Sequence, residues 1–152
     1  MIRAATIDDF LQISELDRVS WKDNRNGEFI PDGEHVWRIW CEHAIVGVAD
    51  LHGSIGGVVL AFPCRDGTYC LHKIFVDRQR RGVGLGIALM DHILRIADDN
   101  KLILFLTVDP GNAKALALYR SSGFAGERLR AGYYRSSEDR LVLTRAPTRR
   151  TN

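Results

Sequence analysis

The stretch Tyr69-Cys70-Leu71-His72-Lys73-Ile74-Phe75-Val76, followed by Asp77-Arg78-Gln79-Arg80-Arg81-Gly82-Val83-Gly84-Leu85-Gly86, limits the fold more than any other part of the chain. A strand-like run ends in a basic turn whose glycines stand at alternate positions. The amphipathic pattern of Leu85, Leu89, Ile93 and Ile96 begins directly behind it. A helix of that pattern packs on a sheet, so the expected class is α/β. Glycines let a ligand come close to the backbone, and the helix start behind them offers free N–H groups and the positive end of the helix dipole. The turn is therefore read as an anion cradle for a phosphate or pyrophosphate. The competing reading is a tight turn with glycines for geometry alone. Gly86 weighs against that reading, because it falls inside the helix, where glycine costs about 1 kcal/mol relative to alanine. The dinucleotide pattern G-x-G-x-x-G fails, with Ile87 or Leu89 where its last glycine belongs, and no Gly-Lys-Ser/Thr occurs anywhere.

Around this turn the chain reads as one mixed domain. Ile2 to Ile7 is expected as a strand, and Asp8-Asp9 open a helix carrying Phe10, Leu11, Ile13, Leu16 and Val19. Trp21 to Gly33 is polar and turn-rich, hence a loop, and Glu34 to Glu42 is a second helix. Three strands follow with short turns at His52-Gly53-Ser54 and Arg65-Asp66-Gly67: Ile45 to Leu51, Ile55 to Phe62 and Tyr69 to Val76. Then come a helix over 84–98, an apolar strand Leu102 to Leu106, a helix Asn112 to Ser121 closed by Gly123, and strands Gly126 to Tyr134 and Arg140 to Thr144. The domain is expected over 1–147, with 148–152 a short basic, frayed tail.

Composition narrows the function classes. The 152 residues carry 21 Lys plus Arg against 19 Asp plus Glu, a net charge of +2, which gives no general case for nucleic acid. The most basic segment, Arg145 with Arg149 and Arg150, sits at the tail. No apolar run is long enough to cross a membrane. Asp8 and Asp9 stand where a secretory leader would be apolar, so a cytoplasmic protein is expected. Cys41, Cys64 and Cys70 form no C-x-x-C pair and fit neither a disulfide framework nor a zinc site.

Two motifs carry a family resemblance. Arg81-x-x-Gly84-x-Gly86 after a strand ending Ile74-Phe75-Val76 resembles the acyl-CoA pyrophosphate loop of the GNAT N-acetyltransferase family. Asn112-Ala113-Lys114-Ala115-Leu116-Ala117-Leu118-Tyr119-Arg120-Ser121-Ser122-Gly123-Phe124 is similar to that family's N-x-x-A-x-x-L-Y-x-x-x-G-F. By spacing alone, Asn112, Ala115 and Tyr119 share a helix face. That face lines a narrow slot, or it belongs to a core helix whose Tyr119 buries its ring and hydrogen-bonds a backbone group.

The resemblance covers about residues 69 to 145. It implies a central mixed, mostly antiparallel, splayed sheet of about seven strands flanked by about four helices. It also implies acetyl-CoA as cofactor and direct transfer of the acetyl group to an amine. The backbone of Arg81, Gly82, Val83, Gly84, Leu85 and Gly86 would hold the pyrophosphate. The strand at Ile74, Phe75 and Val76 would pair with the pantetheine arm, Asn112 would contact the cofactor, and Tyr119 would protonate the leaving thiolate. The usual base is missing, since His72 and Lys73 stand where polyamine acetyltransferases have carboxylates, and Thr107 where ribosomal-protein N-terminal acetyltransferases carry Glu. His72 is the candidate base, directly or through water; a plain satisfied histidine is the alternative.

Acceptor residues implied by the family are Trp21, Glu28, Phe29 and Asp32 in the first half, with Tyr133 and Tyr134 in the last hairpin. The first expectation is a small primary amine or amino-acid-like metabolite, and the second is a protein N-terminus or lysine. A homodimer is one assembly the family allows. A reading from another class is a sensor that binds acyl-CoA without turnover. A hydrolase is disfavoured because His52-Gly53-Ser54-Ile55-Gly56 lacks the G-x-S-x-G elbow.

Overall fold

The computed structural model describes residues 1–23 and 30–149. Its strands form a seven-stranded sheet in the order β1-β2-β3-β4-β5-β7-β6, with the strands defined below. Two compact units contribute to it: Met1–Phe62 with Lys73–Arg95, and Pro63–His72 with Ile96–Asn152. The division falls within the third long strand, between His72 and Lys73.

The first unit begins with β1 (Ile2–Ala4), a 3-10 turn (Ile7–Asp9) and α1 (Phe10–Asp23). β1 stops three residues short of the expected Ile7 because Thr6 caps the turn. Its hydroxyl accepts from the Asp8 amide at 3.3 Å, and Asp9 Oδ2 accepts from the Thr6 amide at 2.7 Å, a reciprocal capping box. α1 continues through Asp23, so Trp21 is helical rather than part of a loop. Then come α2 (Glu34–His43), β2 (Ile45–Leu51), β3 (Ser54–Pro63) and β4 (Tyr69–Val76). β2 and β3 are antiparallel, with Ile45 opposite Ala61 and Leu51 opposite Ser54. Their apolar residues meet those of the first helices in a core of Ile13, Trp37, Val46, Val48, Val58, Leu60 and Phe75, where Trp37 packs edge-on to Trp40 and Phe75.

The second unit holds β5 (Leu104–Val108), α4 (Ala113–Ser121), β6 (Gly126–Arg130) and β7 (Arg140–Arg145). α3 (Leu85–Asp99) spans the division. β5 starts at Leu104 rather than Leu102, because the end of α3 takes up the preceding residues. Lys101 has φ +55°, and the Leu102 amide donates back to the Ala97 carbonyl at 2.8 Å. β5 is antiparallel to β7 over five residue pairs, whereas its parallel pairing with β4 covers Tyr69↔Leu104 and Cys70↔Phe105. Among the described residues the sheet is mixed and mostly antiparallel and is accompanied by four α-helices, in agreement with expectation.

β6 ends at Arg130, four residues before Tyr134, because the chain turns. Gly132 has φ +59°, its amide donates to Asp139 Oδ1 at 2.9 Å, and the Tyr133 amide donates to the Glu138 carbonyl at 2.9 Å. Arg145 does not belong to a solvated tail. It is buried and forks onto Asp98 at 2.8 and 3.2 Å, and the Thr148 amide and hydroxyl bind the same carboxylate at 2.9 and 3.0 Å. No helix among the described residues is long and apolar enough to cross a membrane.

Candidate active site

The basic turn is built by short-range bonds. The Asp77 side chain caps a 3-10 turn (Arg78–Arg80) by accepting from the Gln79 amide at 3.1 Å, and the Arg80 amide donates to the Asp77 carbonyl at 2.8 Å. Arg81 Nε reaches back to the Val76 carbonyl at 3.2 Å. Gly82 and Gly84 then take φ of +83° and +85°, a left-handed conformation that side chains resist.

The first helical bond runs from the Ala88 amide to the Gly84 carbonyl at 3.0 Å. The amides of Leu85, Gly86 and Ile87 therefore lie ahead of any acceptor in their own helix and mark its positive end. A Cβ at Gly82 or Gly84 would meet nothing within 4 Å, and one at Gly86 would meet only Val76 Cγ2 at 3.9 Å. Neither φ nor internal packing demands glycine at position 86. What its missing side chain leaves is clear space beside donating amides, which fits the close approach of a diphosphate.

β4 presents its residues alternately. Leu71, Lys73 and Phe75 are buried, while His72 is exposed and Ile74 and Val76 are half-buried, so His72 shares their face as expected. The opposite face holds a feature the residue pattern did not bring out. Lys73 Nζ lies 3.0 Å from both oxygens of Asp17, 2.8 Å from Asp32 Oδ2 and 2.6 Å from the Ile30 carbonyl. Asp17 is fully buried and also accepts from Trp37 Nε1 at 2.9 Å and the Asp32 amide at 2.8 Å. The signal was there: Lys73 alternates with Leu71 and Phe75, which puts an ammonium on a core face that requires a counter-charge.

Asp32, an expected acceptor residue, is thus one wall of this buried ion cluster. Trp21 is partly exposed on α1, and Glu28 and Phe29 lie outside the described residues.

On α4, Asn112 is the N-cap, its Oδ1 accepting from the Ala115 amide at 3.2 Å. That oxygen caps the helix. Tyr119 is half-buried with its ring edge-on to Phe124 at 5.9 Å, and among the described residues its hydroxyl has no hydrogen-bond partner. The backbone bond expected of a plain core tyrosine is absent. Burial pushes the Tyr119 phenol above its ordinary value of 10, so it stays protonated at neutral pH. In the hairpin, the Tyr134 hydroxyl is hydrogen-bonded to Thr107 Oγ1 at 2.7 Å, and Tyr133 packs edge-on to Tyr134 at 4.8 Å. Burial raises the thiols of Cys41 and Cys70 to about 11 and about 12, which keeps both protonated at neutral pH.

The fold and the glycine turn define the class, a mixed sheet with a glycine-rich turn where a strand meets a helix. The protein belongs to the acetyltransferase (GNAT) family, whose model matches residues 10–124. It is 42% identical over 69 residues to the N-alpha-acetyltransferase RimI of Mycobacterium tuberculosis, covering 45% of this chain and 42% of that one. It is 37% identical over 71 residues to the [ribosomal protein bS18]-alanine N-acetyltransferase of Escherichia coli, covering 46% and 48%. The chain thus spans about half the length of the curated relatives it matches. The crystal structure of the ribosomal-protein-S18-alanine N-acetyltransferase from Escherichia coli has the same fold. It superposes with a TM-score of 0.78 at 22% identity, over 100% of this chain and 96% of that one.

Proposed function

We propose that this protein acetylates the α-amine of a protein N-terminus, with acetyl-CoA as donor. Gly86 carries the donor half of the reading: a helix-start glycine that the fold does not require, with clear space over free amides. The backbone of Arg81, Gly82, Val83, Gly84, Leu85 and Gly86 is assigned to the pyrophosphate, and Ile74, Phe75 and Val76 to the pantetheine arm. Acetyl-CoA supplies the acyl carbon as a thioester, whose C–S bond breaks as the amine's C–N bond forms. Tyr119 donates its phenolic proton to the departing sulfur, and its raised affinity for that proton keeps it loaded at neutral pH. His72, exposed on the strand face of Ile74 and Val76, takes the amine's proton directly or through a water.

For the acceptor, the matched relatives are named for N-α-acetylation and for alanine acetylation of a ribosomal protein. That favours the second sequence expectation over a small metabolite. Trp21, Asp32, Tyr133 and Tyr134 are the described residues assigned to it, with Asp32 held in place by Lys73. Thr107 lacks a carboxylate, but its bond to Tyr134 ties the hairpin turn to β5.

The test is acetyl transfer, followed by mass spectrometry, to three acceptor sets: peptides with a free α-amine, the same peptides N-blocked but containing lysine, and small primary amines. Acetylation confined to the free α-amine is expected. A higher kcat/KM for small amines than for any peptide would return the acceptor to the metabolite class.

A further inference from the structure

The hairpin of β6 and β7 carries a charge arrangement that the fold alone does not account for. Arg130 stands directly opposite Arg140 across the strand pair, and Arg128, opposite Val142, shares their face. Like charges directly opposite on a sheet are destabilising. Only part of that charge is answered within the hairpin. Arg140 has Glu138 at 3.6 Å, Glu138 is shared with Arg135, and Glu127 is engaged by Arg120. Among the described residues neither Arg128 nor Arg130 has an acidic partner. All five residues of β6 are exposed, and β6 is the last strand of the sheet, so among the described residues one of its backbone edges has no neighbouring strand.

We propose that this edge is a docking surface for an acidic, extended polypeptide segment. The carboxylates would answer Arg128 and Arg130, and the segment's backbone would lie along β6. The tyrosines argue against single-stranded nucleic acid. Arg130 lies over the Tyr133 ring at 5.6 Å and Arg140 over the Tyr134 ring at 5.3 Å, so a guanidinium already occupies one face of each ring where a base would stack. The inference rests on the acetyltransferase reading only in saying who brings the segment, namely the acceptor protein.

The test uses fluorescence anisotropy of the whole protein with a labelled peptide of alternating Glu residues, without acetyl-CoA. Its comparisons are a neutral peptide of equal length and an oligonucleotide. The acidic peptide is expected to bind at least about tenfold more tightly than the neutral one, with the advantage shrinking as salt screens the arginines. Arg128→Gln/Arg130→Gln is expected to erase that difference; Arg128→Glu/Arg130→Glu is expected to reverse the preference. Equal binding of acidic and neutral peptides overturns the proposal, as does tighter binding of the oligonucleotide. So does a Gln variant that aggregates while binding the acidic peptide as before, since the arginines would then only guard the edge. Failure of the acetyltransferase reading would appear elsewhere, as loss of any thermal response to acetyl-CoA.

Discussion

Replacing Lys73 with Met removes the ammonium from the cluster with Asp17 and Asp32 while keeping an unbranched apolar stem out to the ε position. In the native protein the Lys73 side chain is 5% exposed and that of Asp17 is 0%, so the charge left on Asp17 has no access to water. Asp17 keeps its bonds from Trp37 Nε1 and the Asp32 amide, which soften the loss without neutralising it. Breaking a buried ion pair from one side costs about 3–5 kcal/mol. In a domain of this size that lowers Tm by roughly 6–20 °C. The assay is urea unfolding followed by tryptophan fluorescence at neutral pH, with Asp17→Leu/Lys73→Met as the control. The double variant should recover part of the loss, because it no longer buries an unpaired carboxylate at position 17. A loss below about 1 kcal/mol for Lys73→Met, the range of an exposed pair, would refute the reasoning.

Asp98 offers a pH test. The hydrogen bonds from Arg145 hold its carboxyl down to about 2 from the ordinary 3.8, so its contribution is complete above pH 3.8 and disappears as pH falls toward 2. Acid titration of stability should show that step in the native protein and not in Arg145→Leu. His92 acts in the opposite sense: among the described residues its buried Nε2 has no hydrogen-bond partner, and burial lowers its pKa below the ordinary 6.5. Folding therefore favours the neutral ring, and stability should decline as pH falls below about 6.5, a decline His92→Leu should lack by chemical denaturation. Tyr119→Phe should retain acetyl-CoA affinity and lose about 10²-fold or more in kcat. An unchanged kcat would remove Tyr119 from the chemistry, and absence of turnover in both forms would favour the sensor.

How much was legible depended on how local the causes were. The residue pattern places β4 at its observed bounds, and α3 to within one residue, because periodicity and the glycine turn are written in consecutive residues. Leu102 and Ile103 read as strand because apolar character does not reveal that the chain is still closing α3. Tyr133 and Tyr134 look like strand residues, yet the bond from the Gly132 amide to Asp139 bends the chain before them. The ion cluster joins Asp17 to Lys73 across 56 positions, and Arg145 finds Asp98 across 47, so in the sequence each charge looks solvated. The anchoring of the chain end by Thr148 was hidden for the same reason.

The central claim is that Gly86 serves a bound diphosphate and not the fold, and Gly86→Ala tests it most directly. Thermal unfolding of both forms should be followed with and without acetyl-CoA. The added Cβ has clear space, so the unliganded variant should be as stable as the native protein, or more stable by up to about 1 kcal/mol. Acetyl-CoA at 100 times its Kd adds about 2.7 kcal/mol, or roughly 5–10 °C, to the native form. The account predicts that this shift is lost or much reduced in Gly86→Ala while the unliganded Tm holds. An equal shift in both forms, or no shift in the native protein, would contradict it.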